Sequence, residues 1–288
     1  MYGNPVNDRL VVFDVITHGE LTRMGYDMTE TFELPQREGK PRKSGLTTMI
    51  DFGPDEMGWT GVPGGIEGLL KCAADYIDHA KIYAMNGLLM PEETVKEAAR
   101  LYRDYGCHPF AGGMLFEYAY AKNQLDEFEA LLRREELMGF EISENYINLE
   151  DDERKGFIDR FQKAGFEVVY EFGRKAPTEA MKLEELGAVI HSVAECGIEH
   201  VIVEQSEIDL LAETSASGLD ELRRQNWFDR IIIEADPYRF PQQHVELIEQ
   251  FGPDVNLCNI TAGQVMRLEG FRRGIGRAVG YSIMDGLI

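Results

Sequence analysis

"LTTMIDFGPDEMGWTG", residues 46–61, decides between the two architectures open to this chain. Its first part, Leu46–Asp51, is short, apolar and rich in β-branched residues, which reads as a buried strand. A polar turn follows. In an open, doubly wound sheet the first such turn often carries G-x-G-x-x-G, which lets the backbone approach a pyrophosphate. Gly53, Gly58 and Gly61 do not have that spacing. The remaining choice for a repeating strand-and-helix chain is a closed barrel.

The same pattern continues outward. Seven more strand-like runs follow, at 76–82 ("YIDHAKI"), 108–113 ("HPFAGG"), 139–143 ("GFEIS"), 166–173 ("FEVVYEFG"), 200–205 ("HVIVEQ"), 231–236 ("IIIEAD") and 254–259 ("DVNLCN"). Helical segments lie between them. "PEETVKEAARLYRDYG" (91–106) opens with Pro91 and acidic residues and closes at Gly106, a sound start and stop. "EDDERKGFIDRFQKAG" (150–165) brings Phe157, Ile158 and Phe161 to one core-facing side. Eight strands alternating with helices predict a parallel sheet. Eight units in about 240 residues predict the α/β class and a (β/α)8 TIM barrel. Residues 1–43 read as an irregular N-terminal extension and 44–288 as a single barrel domain.

Composition restricts the partners. With 51 acidic and 29 basic residues the formal charge is −22, which argues against nucleic acid and anionic membranes. No uncharged apolar run reaches the roughly 18 residues of a membrane span. The start, "MYGNPVNDRL", lacks the basic-then-apolar order of a secretory signal, so a soluble cytoplasmic protein is expected. Cys72, Cys107, Cys196 and Cys258 lie far apart without a CxxC, which argues against structural zinc.

In a barrel of this kind the site lies at the C-terminal ends of the strands. Reading those ends gives Asp51, Lys81, the pair Gly112 and Gly113, Glu141 with Ser143, Glu171 with Lys175, Glu204, Glu234, and Asn256 with Asn259. Polar groups at one architectural level predict a catalytic mouth, because burying each of them unpaired would be costly. No GxSxG occurs and no histidine sits at a strand exit, so a nucleophile triad is not expected. Hard carboxylate oxygens suit Mg²⁺. Lys81 and Lys175 can neutralise an anionic substrate or move a proton. The alternative for Lys175 is a surface lysine after a turn, whereas Lys81 lies inside a strand run and is less easily a surface group. A Schiff-base lysine would instead make the protein an aldolase. "KPRKSG" (40–45) is the one dense basic patch; before the first strand it belongs to the barrel bottom, as a structural or subunit contact.

Taken with their neighbours, these exits resemble the phosphosulfolactate synthase family over roughly residues 40–277. "KPRKSGLTTMIDFG" is similar to that family's K-P-R…G-(L/I)-T-x-x-x-D-x-G segment, and "YIDHAKI" to its Y-I-D-x-x-K. "AGGMLFE" resembles G-G-T-L-x-E, "GFEIS" resembles E-I-S, and "EFGRK" resembles E-V-G-x-K. "EADPYRFPQQ", "FGPDVNLCNI" and "LEGFRRGIGR" continue the match in order. The resemblance implies a (β/α)8 barrel, often a homo-oligomer, that adds sulfite to phosphoenolpyruvate with Mg²⁺, a step of coenzyme M biosynthesis. It implies that some of Asp51, Glu141, Glu171, Glu204 and Glu234 hold the metal, that Lys175 protonates C2, and that Lys81 holds an anionic oxygen. Gly112, Gly113, Ser143, Asn256, Asn259 and Arg174 would bind the small anionic substrate.

The chain also departs from the pattern. After Lys81 the family has K-F-G-x-G-T, where this chain reads "KIYAMNG". Glu144 and Asn145 stand where the family has D-G, Ser206 stands for an arginine, and Asp236 for a proline. Such changes remove small residues beside an anion, or a positive charge. They imply either that a different anion or nucleophile is used, or that Arg174 or Arg239 supplies the missing charge. A divergent aldolase-like enzyme and a non-catalytic interaction protein are the alternative functions.

Overall fold

The computed structural model describes residues 34–55 and 62–287. Residues 1–33, 56–61 and 288 lie outside the described residues. With them lie the expected irregular N-terminus without a secretory signal and the second half of the loop that follows Asp51.

Eight parallel strands close into one barrel in chain order. They are β1 Thr47–Asp51, β2 His79–Ile82, β3 His108–Ala111, β4 Gly139–Ser143, β5 Glu167–Phe172, β6 Val201–Val203, β7 Ile231–Glu234 and β8 Leu257–Thr261. β8 pairs back onto β1 and completes the ring. The expected TIM barrel is the fold of this chain. Helices cover the outside, among them Glu92–Asp104, Asp151–Lys163 and Leu183–Glu195. Among the described residues no helix is long and apolar enough to cross a membrane.

The strands follow from alternation. Outward-facing Met49, Ile82, Phe140, Ile142, Val203, Ile233 and Leu257 pack with helix residues such as Phe116, Ile158, Phe161 and Leu186 in one continuous outer core. Inward-facing Leu46, Phe110, Ile202, Ile232 and Cys258, with Val169, form a small apolar floor inside the barrel. The next inward positions along β2, β4, β5 and β7 are Lys81, Glu141, Glu171 and Glu234, so the same period of two that builds the floor builds the mouth above it.

The eighth run is displaced. It was expected at 254–259, but β8 occupies Leu257–Thr261. Gly252, at φ +98°, ends the helix Gln242–Phe251, and the Val255 N–H donates back to the Gly252 carbonyl (3.2 Å). Asp254–Asn256 are therefore still turning, and Val255 is apolar because it packs in the outer core on the way into the strand. β8 also carries one residue more than β1 between matched pairs: Thr47 faces Leu257, yet Met49 faces Ile260. Asn259 lies in that bulge at φ +61°, a left-handed conformation that asparagine tolerates better than most residues.

The bottom of the barrel is tied by basic side chains, Arg42 and Arg272 among them buried. Lys40 donates to the carbonyls of Ala74 (3.0 Å) and Ile77, and Arg42 pairs with Asp78 (3.0 Å). Asp78 in turn accepts from the Thr47 N–H at 2.8 Å. Arg37 reaches Asp254 and the Pro253 carbonyl, and Arg272 donates to the carbonyls of Val255 (2.7 Å), Pro253 (2.5 Å) and Leu46 (3.4 Å). The compact unit begins at Arg37, so residues 37–43, expected in the extension, are part of the barrel. The basic patch holds its own chain at the bottom.

Candidate active site

Four glutamates and two lysines meet at the C-terminal end of the barrel. Lys81 Nζ lies 3.0 Å from Glu141 Oε2, 3.2 Å from Glu171 Oε2 and 2.9 Å from Glu234 Oε1. Lys175, from the loop after β5, donates to Glu204 Oε2 and lies 3.4 Å from Glu234 Oε2. Glu234 thus bridges the two ammonium groups, one at each oxygen. Oxygens of Glu171, Glu204 and Glu234 lie within 4.8 Å of one another, and all three residues are buried. The Lys175 side chain is 38% exposed, whereas that of Lys81 is 7% exposed. One lysine is therefore covered within the site and the other is part-exposed at its rim.

The charges shift one another. Burial would push the Lys81 ammonium down, but Glu141, Glu234 and Glu171 outweigh it and hold it well above the usual lysine range. Lys175 is raised in the same way, burial being overcome by Glu234, Glu171 and Glu204. Burial, with Glu141 and Glu234 beside it, pushes Glu171 well above the carboxylate range. Burial and Glu234 raise Glu204 to about 7. Glu234 goes the other way: against the effect of burial, Lys81 and Lys175 hold it below the carboxylate range. The neighbouring carboxylates are thereby driven apart, one kept as an anion and two brought closer to protonation.

The wall between β3 and β4 depends on close approach. The Gly113 N–H, at the start of the helix Met114–Ala121, donates to Glu141 Oε1 at 2.8 Å. A Cβ on Gly113 would lie 2.2 Å from Ser143 Oγ and 2.8 Å from Glu141 Oε1, so only glycine fits. A Cβ on Gly112 would lie 3.1 Å from both the Ala84 nitrogen and the Ile82 carbonyl oxygen. Ser143 donates not to the mouth carboxylates but to Glu117, on the same helix. Glu117 also accepts from the Asn145 N–H (2.9 Å), the Asn145 side chain (3.2 Å) and the Tyr146 N–H (2.8 Å). It anchors the loop after β4. The Asn145 amide then donates to Glu171 Oε1 at 2.9 Å. Neither Glu117 nor Asn145 was among the expected site residues. Glu117 sits one helix turn beyond a strand exit, and only its place in "AGGMLFE" pointed to it.

Two expected residues are elsewhere. Asp51 faces the helices, not the barrel axis: its carboxylate accepts from Tyr102 Oη (2.7 Å) and from the Gly53 N–H (2.7 Å). Its place in the β1 alternation is that of outward Met49. Burial raises its pKa, with those two hydrogen bonds opposing the rise. It shapes the turn after β1 and is no metal ligand of this cluster. Asn256, expected in the mouth, lies at the opposite end because β8 starts after it. Its Oδ1 accepts from the Leu46 N–H (2.9 Å), and its Nδ2 donates to the carbonyls of Asp229 (3.2 Å) and Ile231 (3.0 Å).

Asn259 lies inside the β8 bulge, not at a helix N-terminus, and its Oδ1 accepts from the Cys258 thiol at 3.2 Å. The next helix, Val265–Arg272, begins later, and Gln264 already takes the Thr261 N–H (3.1 Å). Arg174 crosses from β5 to the β4 loop, donating to the Asn145 carbonyl (3.4 Å) and to Asn148. Arg239 is paired with Asp209 at 2.7 Å. Ser206 donates to the Lys175 carbonyl at 2.9 Å and helps hold that lysine's loop.

The sequence model of (2R)-phospho-3-sulfolactate synthase (ComA) matches residues 35–277. The phosphosulfolactate synthase of Methanocaldococcus jannaschii is 34% identical over 245 residues, which span 80% of this chain and 92% of that protein. That of Methanothermobacter thermautotrophicus is 32% identical over 85% of this chain and 94% of its own. The Bacillus subtilis phosphosulfolactate synthase is 29% identical over 85% of this chain and 96% of its own.

Proposed function

As the chain belongs to the phosphosulfolactate synthase family and is an enzyme of that type, we propose that it adds sulfite to C3 of phosphoenolpyruvate in a Mg²⁺-dependent reaction. The observation that carries this reading is the buried cluster at the strand ends. Four glutamates face two lysines there, a formal surplus of two negative charges, and the carboxylates of Glu171, Glu204 and Glu234 offer only hard oxygens. That set fits a divalent cation such as Mg²⁺. Glu171, Glu204 and Glu234 would hold it, with Lys175 moving aside. When bound, the ion supplies positive charge for the enolate-like dianion that develops on the substrate carboxylate.

The chain's own groups do the rest. The sulfite lone pair forms the C–S bond at C3, and the C2–C3 π pair moves onto C2 and the carboxylate. Lys175, protonated and part-exposed at the rim, delivers a proton to C2 to give 2-phospho-3-sulfolactate. Lys81 stays a fixed ammonium and holds an anionic oxygen. An imine mechanism finds less support, because it needs a free amine and the carboxylates keep both lysines protonated. The test is phosphorus NMR of phosphoenolpyruvate with sulfite, Mg²⁺ and the enzyme. A new alkyl phosphomonoester resonance, distinct from that of the enol phosphate, is expected, and it should be absent with Lys175→Ala. If no product forms with metal present, the reading is overturned.

A further inference from the structure

We propose that Asn145 is a positioning residue that, anchored by Glu117, fixes the Glu171 carboxylate for cation binding. Asn145 is buried, and its Nδ2 donates to Glu171 Oε1 (2.9 Å) and Glu117 Oε1 (3.2 Å). Two carboxylate oxygens on one side of the amide settle which way it faces, since the flipped amide would set oxygen against oxygen. Asn145 Oδ1 is left buried without a partner, a cost accepted at this position for the bridge that Nδ2 makes. Glu117 accepts from Ser143 Oγ, from the N–H groups of Asn145 and Tyr146, and from the Asn145 side chain. Both ends of the amide's reach are therefore fixed by the fold.

The consequence falls on Glu171. Its Oε2 is held by Lys81 at 3.2 Å and its Oε1 by Asn145, so both oxygens are pinned and the carboxylate has one orientation. Without Asn145, repulsion from Glu141 and Glu234 would act on a group restrained at one oxygen only. Groups that orient a ligating carboxylate from behind are typically worth 10–100-fold in metal affinity. This part rests on the cation reading above.

The primary test is a metal-free crystal structure of Asn145→Ala. Displacement of the Glu171 carboxylate from Lys81 is expected; an unmoved carboxylate would overturn the inference. The second readout is Mn²⁺ affinity, measured by electron paramagnetic resonance on the full chain. Asn145→Ala should weaken binding by about 10-fold or more, with a thermal midpoint close to that of the parent. Affinity within twofold of the parent would count against it. Should Asn145→Ala not fold, Asn145→Gly serves, because it keeps the backbone N–H bond to Glu117. If the parent itself binds no Mn²⁺, the cation reading fails, and the crystal structure still decides the positioning role.

Discussion

Lys81 lies within 3.2 Å of three buried carboxylates, and its own side chain is almost fully covered. Replacing it by Met keeps the stem but strips Glu141, Glu171 and Glu234 of their shared cation. Breaking a buried ion pair by removing one partner typically costs about 3–5 kcal/mol. Lys81→Met should therefore lower the urea midpoint strongly as well as abolish turnover. An urea midpoint equal to the parent's would mean that the three carboxylates do not depend on Lys81. Most of this cluster could be read from strand exits, because Lys81, Glu141, Glu171 and Glu234 all fall on the inward phase of their strands. Asp51 was misplaced because being last in a strand does not say which side a residue faces. Its parity with Met49 does. Glu117 and Asn145 were missed for another reason: they act from a helix and a loop, where no period marks them.

At the scale of the strand, β8 is where sequence and structure part. Val255 and Leu257 look like one alternating run, but a helix stop at Gly252 delays the strand and a bulge at Asn259 interrupts it. The bulge makes a prediction. Asn259 holds φ +61°, so Asn259→Gly should leave stability nearly unchanged, while Asn259→Val should cost about 1–2 kcal/mol from the left-handed conformation. Chemical denaturation of both variants checks this, and equal losses would show that the side chain, rather than the backbone, matters there. The other seven strands were legible because each has four or more residues of one character, or sits between clear turn signals. Asn256, just before β8, and Asn259, within it, were not, because their roles depend on the register of a neighbour, which no local pattern encodes.

For the whole molecule, buried imidazoles couple folding to acidity. His244 is fully buried with both ring nitrogens unpartnered, and burial, with Arg272 and Arg239, lowers it from 6.5 to about 4. The unfolded chain then binds more protons than the folded one between those values. This histidine's contribution is intact above pH 6.5 and falls away as pH drops towards 4, by on the order of 3 kcal/mol. Glu135 and Glu204, both raised to about 7, act in the opposite sense over the upper part of that range. The measurable quantity is therefore a difference. Between pH 7 and 5 His244→Leu should lose less stability than the parent in urea titrations, and parallel curves would refute the assignment.

The bottom seam carries a consequence for how the protein is made. β1 is translated early, yet its closing neighbour β8 and the side chains that seal the junction, Asn256 and Arg272, come last. A chain still on the ribosome must keep the β1 edge unpaired until the segment through Arg272 has cleared the exit tunnel. Nascent chains of this protein should thus need shielding of one strand edge for most of the barrel's synthesis, and completion of the ring should be a late event.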